Sequence, residues 1–220
     1  MPKYKRKRYK RKRRTRKRGY AINKSPMPVK YVTKLRYAEL GLSTNPGAGL
    51  VGQYIFRAND LYDPNYSGTG HQPRGFDQLM PLYNHFTVLG SKATLRISND
   101  VSDLSLTAFL TLQGEPTTQL NPIDYMERMD VSTRQLAGKK TGGQNTTLSR
   151  AFSTKKFFSK TNVLDDTTLR GSVSGSPSEV AYYHFGVVSS DGSSDPLAIT
   201  FSINIDYIVA FHEPNDVASS

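Results

Sequence analysis

Residues 199–214 read ITFSINIDYIVAFHEP, and their alternation decides the fold. Ile199, Phe201, Ile203, Ile205, Tyr207, Val209 and Phe211 form one unbroken stripe of period two. Thr200, Ser202, Asn204 and Asp206 fill the opposite face. A helix would need apolar residues recurring every three or four positions, so this stripe reads as a half-buried β-strand.

Working back from it, seven further strands are expected at Val29–Leu40, Gly49–Arg57, His85–Ser98, Leu104–Gln113, Ser132–Ala137, Leu148–Phe158 and Ala181–Ser189. The first sets Val29, Tyr31, Leu35 and Tyr37 against Lys30, Lys34 and Arg36. In the fourth, Leu104, Leu106, Ala108, Leu110 and Leu112 alternate with Ser105, Thr107 and Thr111. Gly90 interrupts the third and predicts a bulge or bend. The fifth, Ser132–Ala137, is poorly marked. Helical signals are short: Asn121-Pro122 caps a stretch running to Met129, and Gly75–Tyr83 can make a turn or two. Long Gly-, Ser-, Asp- and Pro-rich connections separate the strands at 59–73, 138–147 and 160–178. Eight strands with polar and apolar faces imply an all-β fold of two packed antiparallel sheets, for which a single jelly-roll β-sandwich is one standard solution. An immunoglobulin-like sandwich is the competitor, and its Cys and Trp hallmarks are missing from this sequence.

Charge divides the chain in two. Of 30 Lys and Arg in 220 residues, 13 fall within residues 1–18, where there is no acid. The remaining 17 bases face 18 acids, so the rest is nearly neutral although the whole carries +12. The basic residues are Lys3, Lys5, Arg6, Lys7, Arg8, Lys10, Arg11, Lys12, Arg13, Arg14, Arg16, Lys17 and Arg18. Such a run repels itself and has little to bury, so it is expected to be disordered when unbound. Lys and Arg neutralise a phosphate backbone and release counterions, giving salt-sensitive binding without base specificity. Tyr4, Tyr9 and Tyr20 are interleaved and are candidates for stacking on unpaired bases. A run of this kind also serves as a nuclear import signal. The organisation is thus a basic arm and linker (1–28), a shell-like sandwich (29–214) and a short tail (215–220).

No catalytic constellation is legible. The chain has no Cys, which removes thiolate chemistry. His71, His85, His184 and His212 lack metal-ligand spacing, and there is no P-loop or nucleophile elbow. Ser153-Thr154-Lys155-Lys156 matches S-x-x-K without companion motifs. Asp165-Asp166, and Asp60 with Asp63, are ordinary loop acids. Lys139-Lys140 and Lys155-Lys156 read as solvated surface charge. The expectation is a protein that is not an enzyme and carries no cofactor and no metal. No run is apolar enough for membrane insertion, and no apolar segment follows the basic start as in a secretory signal.

Three stretches resemble the capsid proteins of circovirus-like, Rep-encoding circular single-stranded DNA viruses. They are the basic start MPKYKRKRYKRKRRTRKRGY, residues 74–98 (RGFDQLMPLYNHFTVLGSKATLRIS) and the last strand with its exit. The resemblance implies the jelly-roll form of the sandwich and a T=1 icosahedral shell of about sixty identical subunits. It implies an arm inside on a circular single-stranded DNA genome, nuclear import by host machinery, and residence in the virion and the host nucleus. Loop hydrophobics Leu61, Tyr62, Met80 and Leu82 are then expected at subunit contacts. The rivals are the capsid of a small RNA virus, whose arm would bind phosphate in the same way, and a cellular nucleic-acid-binding β-sandwich, which would usually carry bases across its body as well.

Overall fold

The computed structural model describes residues 26–142 and 144–216. Its strands are β1 Lys30–Thr44, β2 Gly52–Arg57, β3 Tyr83–Asn99, β4 Leu106–Gln113, β5 Ser132–Leu136, β6 Gln144–Ser153, the two-residue β7 Arg170–Gly171, β8 Tyr182–Ser189 and β9 Ile199–Pro214. Three one-turn helices, α1 Phe76–Leu79, α2 Pro122–Met126 and α3 Thr154–Phe157, sit in the connections.

Two antiparallel sheets result, one ordered β1-β9-β3-β6 with β7 on β3, the other β2-β8-β4-β5. The pairings β1 with β9, β2 with β8, β3 with β6 and β4 with β5 are nested, so the chain runs as one long hairpin wrapped into two layers. That is the jelly roll.

The expected stripe explains the packing. All seven residues of the β9 stripe are buried, and the intervening residues up to Ile208 stay wet or half-wet. Phe201 meets Phe185 of the other sheet at 4.6 Å between ring centroids. Polar clasps cross the core as well. The Tyr207 hydroxyl donates to the Arg57 carbonyl at 2.7 Å, and Ser91 donates to the Ala58 carbonyl. A buried hydroxyl without such a partner would cost about 1–3 kcal/mol.

The outer faces of the two sheets differ. On the four-stranded sheet, the β4–β5 connection folds back as a lid. Tyr125 stacks on Phe109 at 5.6 Å, Val51 and Val188 complete a second small core, and Arg128 donates to the Leu112 carbonyl. β4 is therefore buried on both sides beyond Thr107, not on the single face its alternation predicts. Among the described residues, the outer face of the five-stranded sheet carries no comparable buried apolar cluster, and Val32 and Ile208 stand exposed there.

Three expectations need correction. The sixth strand stops at Ser153, because Thr154 turns inward as α3 begins and Phe157 and Phe158 close around Phe152. Their apolar character reflects that aromatic cluster and not a continuing strand. Val29 and Tyr31 remain exposed, since β1 is an outermost strand and only Leu35 and Tyr37 of the expected face reach the core. The first strand also runs four residues past Leu40, across a register shift between Glu39 and Leu42 where Gly41 takes φ +70°. The bend predicted at Gly90 coincides with a register shift against β9 between Val88 and Gly90.

Two outcomes follow for stability. Ile203→Ala removes a fully buried side chain from the middle of β9. It is expected to cost about 2–5 kcal/mol in urea unfolding, against less than about 1 kcal/mol for Thr200→Ala on the wet side. The second concerns His184 of β8, buried beneath the lid, whose Nε2–H donates to the Glu115 carbonyl at 2.9 Å. Burial pushes its imidazole from 6.5 down to about 4, although the Glu115 bond favours the protonated ring. The unfolded chain takes up a proton near pH 6.5 that the folded chain refuses until about pH 4, so this contribution is complete above pH 6.5 and lost as pH falls. Unfolding free energy measured against pH should drop across that window by up to about 3 kcal/mol from this group. His184→Gln should flatten the drop.

Candidate nucleic-acid interface

A polycation needs an anchor that does not consume its charge. The thirteen bases of residues 1–18, with Tyr4, Tyr9 and Tyr20, lie outside the described residues. The chain is described from Pro26, and there the anchoring is visible. Met27 packs against the main core, and the Tyr83 hydroxyl donates to the Pro28 carbonyl at 3.2 Å. The next element is β1, an outermost strand of the five-stranded sheet. The arm is therefore joined to that sheet's edge.

On β1 the even-numbered positions face outward, as the alternation predicts, and carry Lys30, Lys34 and Arg36. Arg36 grips Asp206 of β9 through Nε at 2.6 Å and Nη2 at 2.9 Å, and Lys34 reaches the same carboxylate at 3.0 Å. The Arg36 hydrogen bond holds the Asp206 carboxyl below its ordinary range. These groups are wet, so each pair contributes no more than about 1 kcal/mol. Their larger effect is to hold two cationic side chains flat on the sheet.

The four loop hydrophobics separate. Leu61 and Met80 are fully buried in the main core and offer no surface to a neighbour, which corrects their assignment to subunit contacts. Leu61 is drawn in because its loop is pinned on both sides. Asn59 pairs with Glu179 and Ala181 backbone, and Asp60 takes hydrogen bonds from Ser176 and the Tyr62 amide. Met80 follows Phe76, which anchors α1 edge-on against Phe86. Tyr62 and Leu82 keep 37% and 39% of their surface and remain available.

The remaining candidates are engaged locally. Both nitrogens of His71 face carbonyls, of Ala38 at 2.9 Å and Gln72 at 2.8 Å. Two accepting carbonyls favour the doubly protonated ring, so its pKa is raised. His85 and His212 lie 5.9 Å apart beside Glu213, which also holds Arg170 at 2.9 Å. Asp60 and Asp63 both face Arg57, and Asp166 is held by Lys160 at 2.8 Å. Lys140 pairs with Asp103, while Lys139, Lys155 and Lys156 are exposed. Ser153 precedes α3, and Lys156 lies in its exposed last turn. Among the described residues, no three of His, Asp and Glu are grouped as metal ligands.

No known family profile matches the sequence, and no curated protein is significantly similar to it. Solved structures are similar in fold. One is that of Desmodium yellow mottle tymovirus, at 9% identity and TM-score 0.44 over 93% of this chain and 100% of that one. A second is that of turnip yellow mosaic virus, at 12% and 0.46 over 91% and 90%. A third is the 60-mer BFDV capsid protein, at 13% and 0.45 over 86% and 98%. All three are viral structures, each at 13% identity or less and at a TM-score below 0.5.

Proposed function

We propose that this chain is the coat protein of a small virus. Its jelly roll builds a closed icosahedral shell of about sixty copies, and its arm holds a packaged circular single-stranded DNA.

The carrying observation is the division of charge: 13 bases in the first 18 residues, and 17 bases against 18 acids in all the rest. A shell subunit has two opposed electrostatic tasks. Many copies must meet without repelling one another, which asks for a neutral body. The enclosed phosphates must be offset, which asks for a dense cation that the body does not carry. A tethered polycation satisfies both. A protein that wraps nucleic acid from outside would have no reason to keep its folded part neutral. Exposed apolar side chains on the lid, Leu120, Ile123 and Met126, together with Tyr62 and Leu82, give adjacent copies apolar area to bury.

The finer reading rests on the sequence resemblance over 74–98 and 199–214. From it come the circular single-stranded DNA cargo, import of the chain into the host nucleus through the arm, and assembly there. Phosphate contacts alone do not distinguish DNA from RNA, so the cargo is decided by experiment.

The full chain, expressed and examined by size-exclusion chromatography and negative-stain microscopy, is expected to give uniform closed particles. Nucleic acid recovered from them should be protected from added nuclease, and its sensitivity to DNase or RNase after opening identifies it. Deleting residues 1–18 should abolish uptake while leaving the thermal unfolding of the sandwich unchanged. If most arm bases contact phosphate, the log–log salt slope of the full chain approaches about −9 on a single strand. A monomer under every condition, or undiminished binding after the deletion at moderate salt, would overturn the proposal.

A further inference from the structure

We infer that the outer face of the five-stranded sheet is a second nucleic-acid surface, one that takes the phosphate backbone of a single strand alongside the arm. The inference rests on the coat-protein reading and adds a site on the folded body to it.

The register places the charges. Across the sheet Arg36 lies opposite Asp206, and Asp206 opposite Lys92. Two residues further along β3, Thr94 lies opposite Asn204, and then Arg96 opposite Ser202. Lys34, Arg36, Lys92 and Arg96 therefore project from one face, and all four are exposed. Asp206 is the one acid among them, and it is taken up by Lys34 and Arg36. Lys92 and Arg96 join no ion pair among the described residues. A body with more acids than bases has thus placed four of its cations together against a single carboxylate.

The geometry makes these charges act as a group. Neighbouring strands are about 4.8 Å apart, and alternate residues along one strand about 6.7 Å. Lys34, Arg36 and Lys92 then each lie within about 10 Å of another, close to a Debye length, so their potentials add, while Arg96 stands about 13 Å further along β3 at the mouth of a cleft. Beside Arg96 the sheet is hollowed. Ser98, Asn145, Thr147, Thr200 and Ser202 line, with Arg96, a shallow cleft of about 560 Å³. The Ser98 hydroxyl is given to Asp100 and Asn145, so the hydroxyls of Thr147, Thr200 and Ser202 are the groups here suited to donate to phosphate and sugar oxygens without reading bases.

Two facts select nucleic acid as the occupant. The charge is complementary to phosphate and poorly suited to another copy of a body that is itself nearly neutral. The chain also enters the fold at Pro28, directly before β1, whose outward side chains Lys34 and Arg36 belong to this face. The opposite sheet, further from that entry, has its outer surface closed by the Phe109–Tyr125 lid.

The test uses the full chain and a fluorescein-labelled oligo(dT), titrated by anisotropy over a series of salt concentrations. K92Q/R96Q should reduce the magnitude of the log–log salt slope by about 1.4, as expected for two lost phosphate contacts on a single strand. D206N should act in the opposite direction, because it frees Lys34 and Arg36, and so provides a reading even if the double variant folds poorly. R134Q/K139Q removes the same net charge from β5 of the other sheet and the connection after it, and should leave the slope unchanged. An unaltered slope in both K92Q/R96Q and D206N overturns the inference, as does an equal loss in R134Q/K139Q, which would mean that only bulk charge matters. Normal binding with failed particle closure in K92Q/R96Q would assign the face to subunit contact and also overturn it. A parallel R11Q/R13Q/R14Q/R16Q chain separates the two levels. If that chain loses binding while the face variants do not, the arm's role survives and the face is rejected. If it too binds normally, the coat-protein reading falls with it.

Discussion

β9 is hydrogen-bonded along both edges, to β1 on one side and to β3 on the other, so two long pairings must be satisfied by one strand. A slip of one residue in either would turn its apolar stripe to solvent and bury Thr200, Asn204 and Asp206 instead. The cost of that exchange fixes the register, and much else is fixed through it. Tyr207 reaches the other sheet only because β9 presents it inward at the level of Arg57. Asp206 meets Arg36 across a sequence separation of 170 residues only because the same register aligns them. Core packing and surface electrostatics are two readings of a single alignment.

Elements governed by local periodicity were legible in the sequence, and those governed by distant partners were not. The stripe of β9 and the alternation of β4 announce themselves because burial of one face leaves a period of two. The burial of the second face of β4 is invisible there, since Phe109 is covered by Tyr125 from a connection that carries no strand pattern. Phe157 and Phe158 mimic strand residues because a one-turn helix is too short to show its own period. Leu61 and Met80 look like surface loop residues until Asn59 and Asp60 are seen pinning the loop of the first inward and Phe76 is seen anchoring the turn that carries the second. Of the candidate site, the arm is legible as charge alone. Lys92 and Arg96 were within reach of sequence reasoning: they occupy alternate-parity positions matching those of Lys34 and Arg36, but the pairing that makes the four neighbours runs through β9 and appears only in the folded sheet.

The two sheets solve opposite problems with similar strands. One hides its outer surface beneath aromatic and aliphatic side chains and shields a neutral histidine there. The other leaves its outer surface open, lined with hydroxyls, amides and cations, and restrains part of its charge with a single carboxylate. A sandwich that was only a container would have no need for such asymmetry, because either dressing suffices for solubility. The difference gives the folded body two chemically distinct sides, and the described chain enters the sandwich through the outermost strand of the sheet that bears the polar one.

The position of β9 in its sheet also sets an order of events during synthesis. The strand that belongs between β1 and β3 is made well after both of them. At typical ribosomal speeds of about 5–20 residues per second, β1 waits roughly 10–30 s for the partner that pairs with it. Until then β1 and β3 have no strand between them, and their unpaired edges can find other chains. On a polysome, growing chains thus crowd together with open edges while each still lacks its central strand.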